Sequence, residues 1–449
     1  MMSVSQAARV TAGRTSGADA RFADVSTDSR AIGRGGLFVA LRGERFDGHD
    51  FLAAAAARGA AAAMVDRDYH GPYPLPVVIV QDTKRALGDL ARDWRARFAP
   101  VLIAVTGSNG KTTVKDMLAA ILRRHGGEQA ALATTGNLNN DIGVPLMLLK
   151  MRPAQRWCAL ELGMNHRGEI AYLARIAAPT IALVNNAQRE HLEFMGSVEE
   201  VAAENASVYD ALPASGIAVI NVDDERAAFF RSRAGARQVV EFGLKGATVS
   251  GRYALGGLQS ELRLRTPHGE AQATLAVPGL HNVRNALAAA ACAHAAGIEP
   301  AVIAAGLSAF RPYTGRLQVK QARGGLTVID DSYNANPDSV RAAIDVLAAC
   351  PGPTVLVLGD MGEVGPQGPA FHREIGTYAR ARGITRLLAL GDAAARAVEA
   401  FGEGGVHFSD VDALVAAVDG RTVLVKGSRF MKMERVVAAL VGTPVEGAH

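Results

Sequence analysis

Apolar residues fall into short compact runs separated by stretches with helical spacing. FVAL (38–41) and VVIV (77–80) are strand-type runs. The tract AAAAARGAAAAM (53–64) between them predicts a helix, because alanine loses least on entering one. A further helix is predicted from Thr83 to about Arg97, after which Phe98, Ala99 and Pro100 break the pattern. The next run, VLIAV (101–105), leads through a glycine turn into a helix. There Val114, Met117, Leu118, Ile121 and Leu122 recur at one-face spacing. CALEL (158–162), TIALVN (180–185) and GIAVIN (216–221) read as strands. An alanine-rich helix runs from about Asn282 to Ala296, and a short helix precedes Arg311 and Pro312.

From Tyr313 onward LTVID (326–330), TVLVLGD (354–360), RLLALGD (386–392) and RTVLVKG (421–427) alternate with helices. Asn336 and Pro337 are suited to cap and open the helix that buries Val340, Ile344 and Leu347. Strands alternating with helices imply largely parallel sheets. The fold class is therefore α/β with three domains. Residues 1–98 form a small α/β domain, 99–312 a central domain with a P-loop ATPase-like, mostly parallel sheet, and 313–449 a Rossmann-like domain.

Composition removes several alternatives. Charged residues are 20% and the net charge is +4, with no run of five like charges, so no nucleic-acid-binding tail is expected. Cys158, Cys292 and Cys350 are far apart and form no CxxC pair. That suits a reducing cytoplasm better than a disulfide scaffold or a cysteine zinc site. The first residues lack the apolar core of a signal peptide. No apolar run reaches the roughly 18 residues of a membrane helix, so no membrane insertion is expected.

The chemistry concentrates in VTGSNGKTT (105–113). A strand, a glycine turn and a helix N-terminus present backbone N–H groups and a positive dipole end to phosphate. Gly107, Ser108, Asn109, Gly110 and Thr113 form the cradle. Lys111 is placed to reach the β/γ-phosphates, and the Thr112 hydroxyl to hold Mg²⁺. The usual first glycine of such a loop is Val105 here. The loop alone implies a nucleoside triphosphate and Mg²⁺ but no particular reaction.

TGSNGKTT resembles the ATP loop of the Mur ligases and their folylpolyglutamate synthetase relatives. TTGNLNNDIGVPLMLL (134–149), ELGMNHRGEI (161–170), PGLHNVRNALAAAA (278–291), DDSYNANPDS (330–339), VLGDMGEVG (357–365) and KGSRFMKME (426–434) resemble the branch of that family that adds D-Ala-D-Ala. The likeness runs from about Ser26 to Glu434.

The resemblance implies an ATP-dependent carboxylate–amine ligase, a monomer whose substrates are UDP-MurNAc-tripeptide and D-Ala-D-Ala, working through an acyl phosphate. It implies Lys111, Glu161, His191 and Arg316 as the catalytic set. Glu161 and His191 join Thr112 as metal ligands, and the imidazole suits Mn²⁺ better than Mg²⁺. Asn282 and Asn285 are assigned to adenine, Arg316 to the ATP phosphates and Asp331 to the ribose. Asn137, Asn139 and Asn140 are assigned to the peptidyl substrate, and Tyr333, Asn334 and Asn336 to the dipeptide or acyl phosphate. STDSR (26–30) and FVALRGERFDGHDF (38–51) resemble the family's uridine-binding segments, with Ser29 and Arg30 as UDP contacts, which makes the first domain the UDP-binding one.

One segment departs from the family. A lysine that is carbamylated there and binds a second Mg²⁺ falls on Asn205, within GSVEEVAAEN (196–205). Asparagine cannot be carbamylated, so Glu200 or Glu204 supplies a carboxylate, or a water-bound Mg²⁺ suffices, or these glutamates only solvate a helix face. Two other functions use the same loop: a ligase with another acceptor, and a nucleotide switch with none.

Overall fold

The computed structural model describes residues 1–44 and 46–442. The N-terminal sheet orders its strands Arg14–Ser16, Val77–Val80, Ala62–Asp66, Gly36–Val39 and Asp24–Ser26. All neighbours are parallel except the first pair. The central sheet is fully parallel, in the order Gln238–Phe242, Ile217–Asn221, Ile181–Val184, Val101–Thr106, Trp157–Glu161 and Ala131–Ala133. The C-terminal sheet runs Gln318–Gln321, Thr327–Asp331, Thr422–Lys426, Thr354–Gly359, Arg386–Leu390 and Gly405–Phe408, antiparallel only at its first pair. The apolar runs fill these strands because helices cover both faces of a parallel sheet and leave few positions for polar side chains.

The helix after the glycine turn, Lys111–Gly126, buries Val114, Met117, Leu118, Ile121 and Leu122 completely, as their spacing predicts. The alanine tract behaves differently from its expected single helix. Helix stops at Ala57, Gly59 takes φ +88°, and Ala62–Asp66 enters the sheet. Alanine favours a helix only weakly, and the strand slot buries Ala62, Ala63, Met64 and Val65 fully. An antiparallel sheet, Ser250–Gly256, Gln259–Thr266 and Gly269–Leu275, was not anticipated. Its middle strand, QSELRLRT, alternates strictly, with Ser260, Leu262, Leu264 and Thr266 buried.

The units are joined in two ways. The N-terminal and central sheets share one apolar core through the helix Thr83–Arg95. Trp94 Nε1 donates to the Met151 carbonyl at 3.0 Å, and Arg95 donates to the carbonyls of Ala177 (2.9 Å) and Ala178 (3.0 Å). The C-terminal sheet meets the central unit through polar contacts and through Leu192 and Leu258, which pack on its apolar core. Arg189 forks onto Asp338 (2.6 Å) and Glu374 (2.7 Å), Asn336 Nδ2 donates to Asn109 Oδ1 (2.9 Å), and His191 faces Glu363. A seam with so few apolar side chains exposes less apolar surface on opening than a shared core does.

Candidate functional site

Strand order in the central sheet reverses at Val101–Thr106. The chain places Trp157–Glu161 on one side of it and Ile181–Val184 on the other, which opens a crevice at the carboxyl ends. Residues 107–110 lie in that crevice. Gly107 has φ +126°, and a side chain there would press on the backbone nitrogens of Asn185 and Asn186. Gly110 has φ +83°, and its Cβ would fall 2.2 Å from Asn285 Oδ1. Both positions therefore require glycine.

The loop is clamped from behind. Asn205 Oδ1 accepts from Thr106 Oγ1 (2.5 Å) and from the Gly107 N–H (2.8 Å). Asn186 Oδ1 accepts from the Asn109 N–H (2.8 Å). Ser108 Oγ accepts from the Gln188 N–H (2.9 Å), and Asn109 Nδ2 donates to Gln188 Oε1 (2.7 Å). Lys111 Nζ donates to the carbonyls of Gly107 (2.6 Å) and Ser108 (3.1 Å) and to Glu190 Oε1 (2.8 Å).

A cavity of about 940 Å³ lies over the loop, between the central and C-terminal sheets. Of the residues singled out from the sequence, Ser108 to Thr113, Asn137, Asn139, Asn140, Glu161, His191, Asn282, Asn285, Arg316, Asp331, Tyr333, Asn334 and Asn336 line it. Gly107, the buried first residue of the loop, does not. Ser29 and Arg30 also lie outside it, on an exposed turn of the N-terminal unit, where Arg30 pairs with Asp28 at 3.0 Å.

Several of these side chains already have local partners. Asn336 caps the helix Pro337–Ala348 by accepting from the Ser339 N–H (2.9 Å), and it also bridges to Asn109. Asn140 accepts from the Gly143 N–H (2.9 Å), and Asn334 Oδ1 from the Ala335 N–H (2.9 Å). Asn282 donates to the Pro278 carbonyl (2.8 Å) and accepts from Asn285 Nδ2 (3.2 Å), and Asn285 Oδ1 accepts from Asn185 Nδ2 (3.0 Å). Asp331 and Lys426 are register partners at adjacent strand ends and pair at 2.6 Å. Burial raises the Asp331 carboxyl pKa, against the pull of Lys426. The Arg316 guanidinium stacks on Tyr333 at 4.3 Å, and its Nε is buried without a partner.

Glu161 is almost fully buried. Its Oε1 accepts from Asn139 Nδ2 (2.7 Å), while Oε2 has no partner. His191 has φ +50°, and its Nδ1 lies 2.6 Å from Glu363 Oε2, a contact off the line of a hydrogen bond. His191 nevertheless holds the Glu363 carboxyl below its ordinary pKa. The unpartnered oxygens of Glu161 and Glu190, with the Thr112 hydroxyl and His191 beside them in the cavity, fit a divalent cation. Among the described residues no three His, Cys, Asp or Glu side chains converge into a cage. A cation here would complete its shell with phosphate oxygens and water, as Mg²⁺ ordinarily does.

Neither Glu200 nor Glu204 lines the cavity. Glu204 accepts from the N–H groups of Gly168 and Ile170 (both 2.8 Å) at the start of the helix Glu169–Ala177, a favourable place for negative charge. Glu200 lies 3.5 Å from Arg167.

The sequence reading does not single out Glu190, Asp116, His281 or Lys426, all of which line the cavity. Glu190 adjoins His191, and Asp116 follows Thr112 by one helical turn, so both had a positional signal. Burial raises the Asp116 pKa, while Lys115 hydrogen bonds to it and lowers it. His281 is pushed down to about 4, by burial first and then by Lys426 and Arg284. Lys426 lies in a quoted motif, but only the sheet register pairs it with Asp331.

Comparison with known proteins matches three segments: residues 21–95 to the Mur ligase family catalytic domain, 105–293 to the Mur ligase middle domain, and 315–429 to the Mur ligase glutamate ligase domain. The chain is 42% identical to the UDP-N-acetylmuramoyl-tripeptide–D-alanyl-D-alanine ligase of Escherichia coli, over 98% of each chain. A crystal structure of MurF from Acinetobacter baumannii superposes with a TM-score of 0.92 at 34% identity, covering 98% of this chain and 99% of that one. The MurF ligase of Thermotoga maritima in complex with ADP superposes with a TM-score of 0.81 at 25% identity, covering 93% and 97%.

Proposed function

The chain belongs to the Mur ligase family, and on that premise we propose that it uses ATP to join D-Ala-D-Ala to UDP-MurNAc-tripeptide in peptidoglycan precursor synthesis. The products are UDP-MurNAc-pentapeptide, ADP and phosphate. The observation that carries this reading is the shared cavity. Lys111, Glu161 and His191 from the central sheet face Arg316, Tyr333 and Asn334 from the C-terminal sheet across one space. A nucleotide switch has no use for the second wall, whereas a two-substrate ligation needs it.

The reaction assigns each wall a task. The terminal carboxylate of the tripeptide attacks the γ-phosphorus, the bond to the β–γ bridging oxygen breaks, and ADP leaves an acyl phosphate. The dipeptide amine then attacks the carbonyl carbon. The tetrahedral intermediate expels phosphate, and the nitrogen gives up its proton as the amide forms. The loop N–H groups and the positive end of helix Lys111–Gly126 hold the phosphates. Lys111 and Arg316 offset charge as it gathers on the transferred group. Thr112, Glu161 and His191 would hold Mg²⁺, whose charge would offset that of the triphosphate. Asn282 and Asn285 present amides to adenine, and Asp331 a carboxylate to the ribose.

Asn139, tied to Glu161, and its neighbours Asn137 and Asn140 orient the peptidyl carboxylate. Tyr333, Asn334 and Asn336 border the place of the incoming amine. Ser29 and Arg30 serve the distant UDP end. Closure of the C-terminal sheet excludes water that would hydrolyse the acyl phosphate. The three buried free cysteines and the soluble substrates suit a cytoplasmic site of action. Among the described residues no helix is long and apolar enough to cross a membrane.

Phosphate release from MgATP tests the reading. Release requiring both UDP-MurNAc-tripeptide and D-Ala-D-Ala, with a product one dipeptide heavier less water, is the expected result. Release indifferent to either substrate refutes it.

A further inference from the structure

Lys111 cannot meet a phosphate as it stands. An ammonium has three N–H donors, and those of Lys111 go to the Gly107 carbonyl, the Ser108 carbonyl and Glu190 Oε1. Glu190 has the opposite deficiency. The residue is only 9% exposed, and its second oxygen, Oε2, has no hydrogen-bond partner. Glu161 Oε2, lining the same cavity, is also unpartnered. Two buried carboxylates beside the phosphate loop would repel a triphosphate, and an incomplete set of partners is costly in a desolvated site. A divalent cation answers both needs, since it takes carboxylate oxygens on one side and phosphate oxygens on the other.

We propose that Glu190 is a metal-facing carboxylate that exchanges partners. Without nucleotide it neutralises Lys111. When nucleotide and metal enter together, Glu190 turns to the cation, directly or through a bound water, and frees a Lys111 N–H for phosphate. Without metal it stays on Lys111 and opposes the nucleotide. Glu190 thereby makes nucleotide binding conditional on the metal. The inference rests on the ATP-dependent reading above.

The test is ADP affinity measured by calorimetry, with Mg²⁺ and with chelator, for the wild type, Glu190→Gln and Glu190→Asp. Gln keeps the shape and an acceptor for Lys111 but removes the charge. Glu190→Gln is expected to bind ADP about tenfold more tightly than wild type in chelator, and to lose about tenfold of the Mg²⁺ enhancement, the scale of one removed unit charge in a partly screened site. Glu190→Asp keeps the charge and should retain most of the enhancement. An unchanged Mg²⁺ dependence in Glu190→Gln overturns the proposal. So does equal weakening in both conditions with unchanged thermal stability, which would make Glu190 a support for the loop. If Glu190→Gln does not fold, loss of the Mg²⁺ enhancement in Glu190→Asp overturns it instead. Wild-type protein that binds no ADP in either condition would instead refute the ATP reading itself.

Discussion

Removing the Arg189 guanidinium should open the seam between the central and C-terminal sheets. Arg189 Nε and Nη2 donate to Asp338, Nη1 and Nη2 to Glu374, and its backbone N–H to Asp338 Oδ2 at 2.9 Å. Burial works against the charge, but the two carboxylates outweigh it and hold the guanidinium pKa above its ordinary value. The side chains are 23%, 22% and 30% exposed, so the network is neither a solvated surface pair nor a fully desolvated one. Charge-assisted forks contribute roughly 1.5–3 kcal/mol where well formed, and partial exposure trims that.

A net preference of about 2 kcal/mol for the closed arrangement follows, equivalent to about 30-fold in the closed-to-open ratio. In Arg189→Ala, Asp338 and Glu374 face each other with only Arg341, 3.0 Å from Glu374, left to offset them. Energy transfer between dyes on the two sheets should report the shift. On the proposed reading, in which closure carries Tyr333 and Asn334 to the acyl phosphate, the kcat/KM for D-Ala-D-Ala should fall about 10- to 30-fold. Arg189→Lys should recover part of the loss, and added salt should open the wild type more than the alanine variant. An Arg189→Ala enzyme with wild-type energy transfer and kcat/KM would refute the argument.

Two further predictions concern the loop and the cavity. Asn205→Ala removes the buried acceptor for Thr106 Oγ1 and the Gly107 N–H, and should cost about 1–3 kcal/mol in urea unfolding; a loss under 0.5 kcal/mol would show the pair finds other partners. His281 has a folded pKa lowered from 6.5 to about 4, so its stabilising contribution is complete above pH 6.5 and is lost as pH falls from there toward 4. Its ring carbon NMR shifts should therefore stay those of neutral imidazole at pH 6, and titration near 6.5 would contradict the burial argument.

Much of the fold was legible because parallel strands buried on both faces must be apolar runs, and the helices between them must be one-sided. VLIAV and the glycine turn located the crevice. Asn336 and Pro337 located a helix start that the structure confirms. The alanine tract misled because alanine carries almost no positional information. It was the sheet slot between Gly36–Val39 and Val77–Val80 that drew Ala62–Asp66 into a strand. The antiparallel sheet is written in the alternation of QSELRLRT, a weaker signal than the apolar runs of the parallel strands around it.

The sequence by itself determined the phosphate cradle, since a loop of local backbone geometry is encoded by its own glycines and by the strand and helix that flank it. It also marked many of the asparagines and carboxylates as candidates, because their motifs are short and contiguous, but not Glu190 or Asp116. Only the tertiary structure decided which of them share a cavity and what each touches. Glu161 meets Asn139, Lys111 meets Glu190, Asp331 meets Lys426, and Asn205 faces the loop while Glu204 turns to a helix end. Those pairings join residues up to 99 positions apart, and the order and register of the strands within each sheet set them. No local pattern in the chain carries that information.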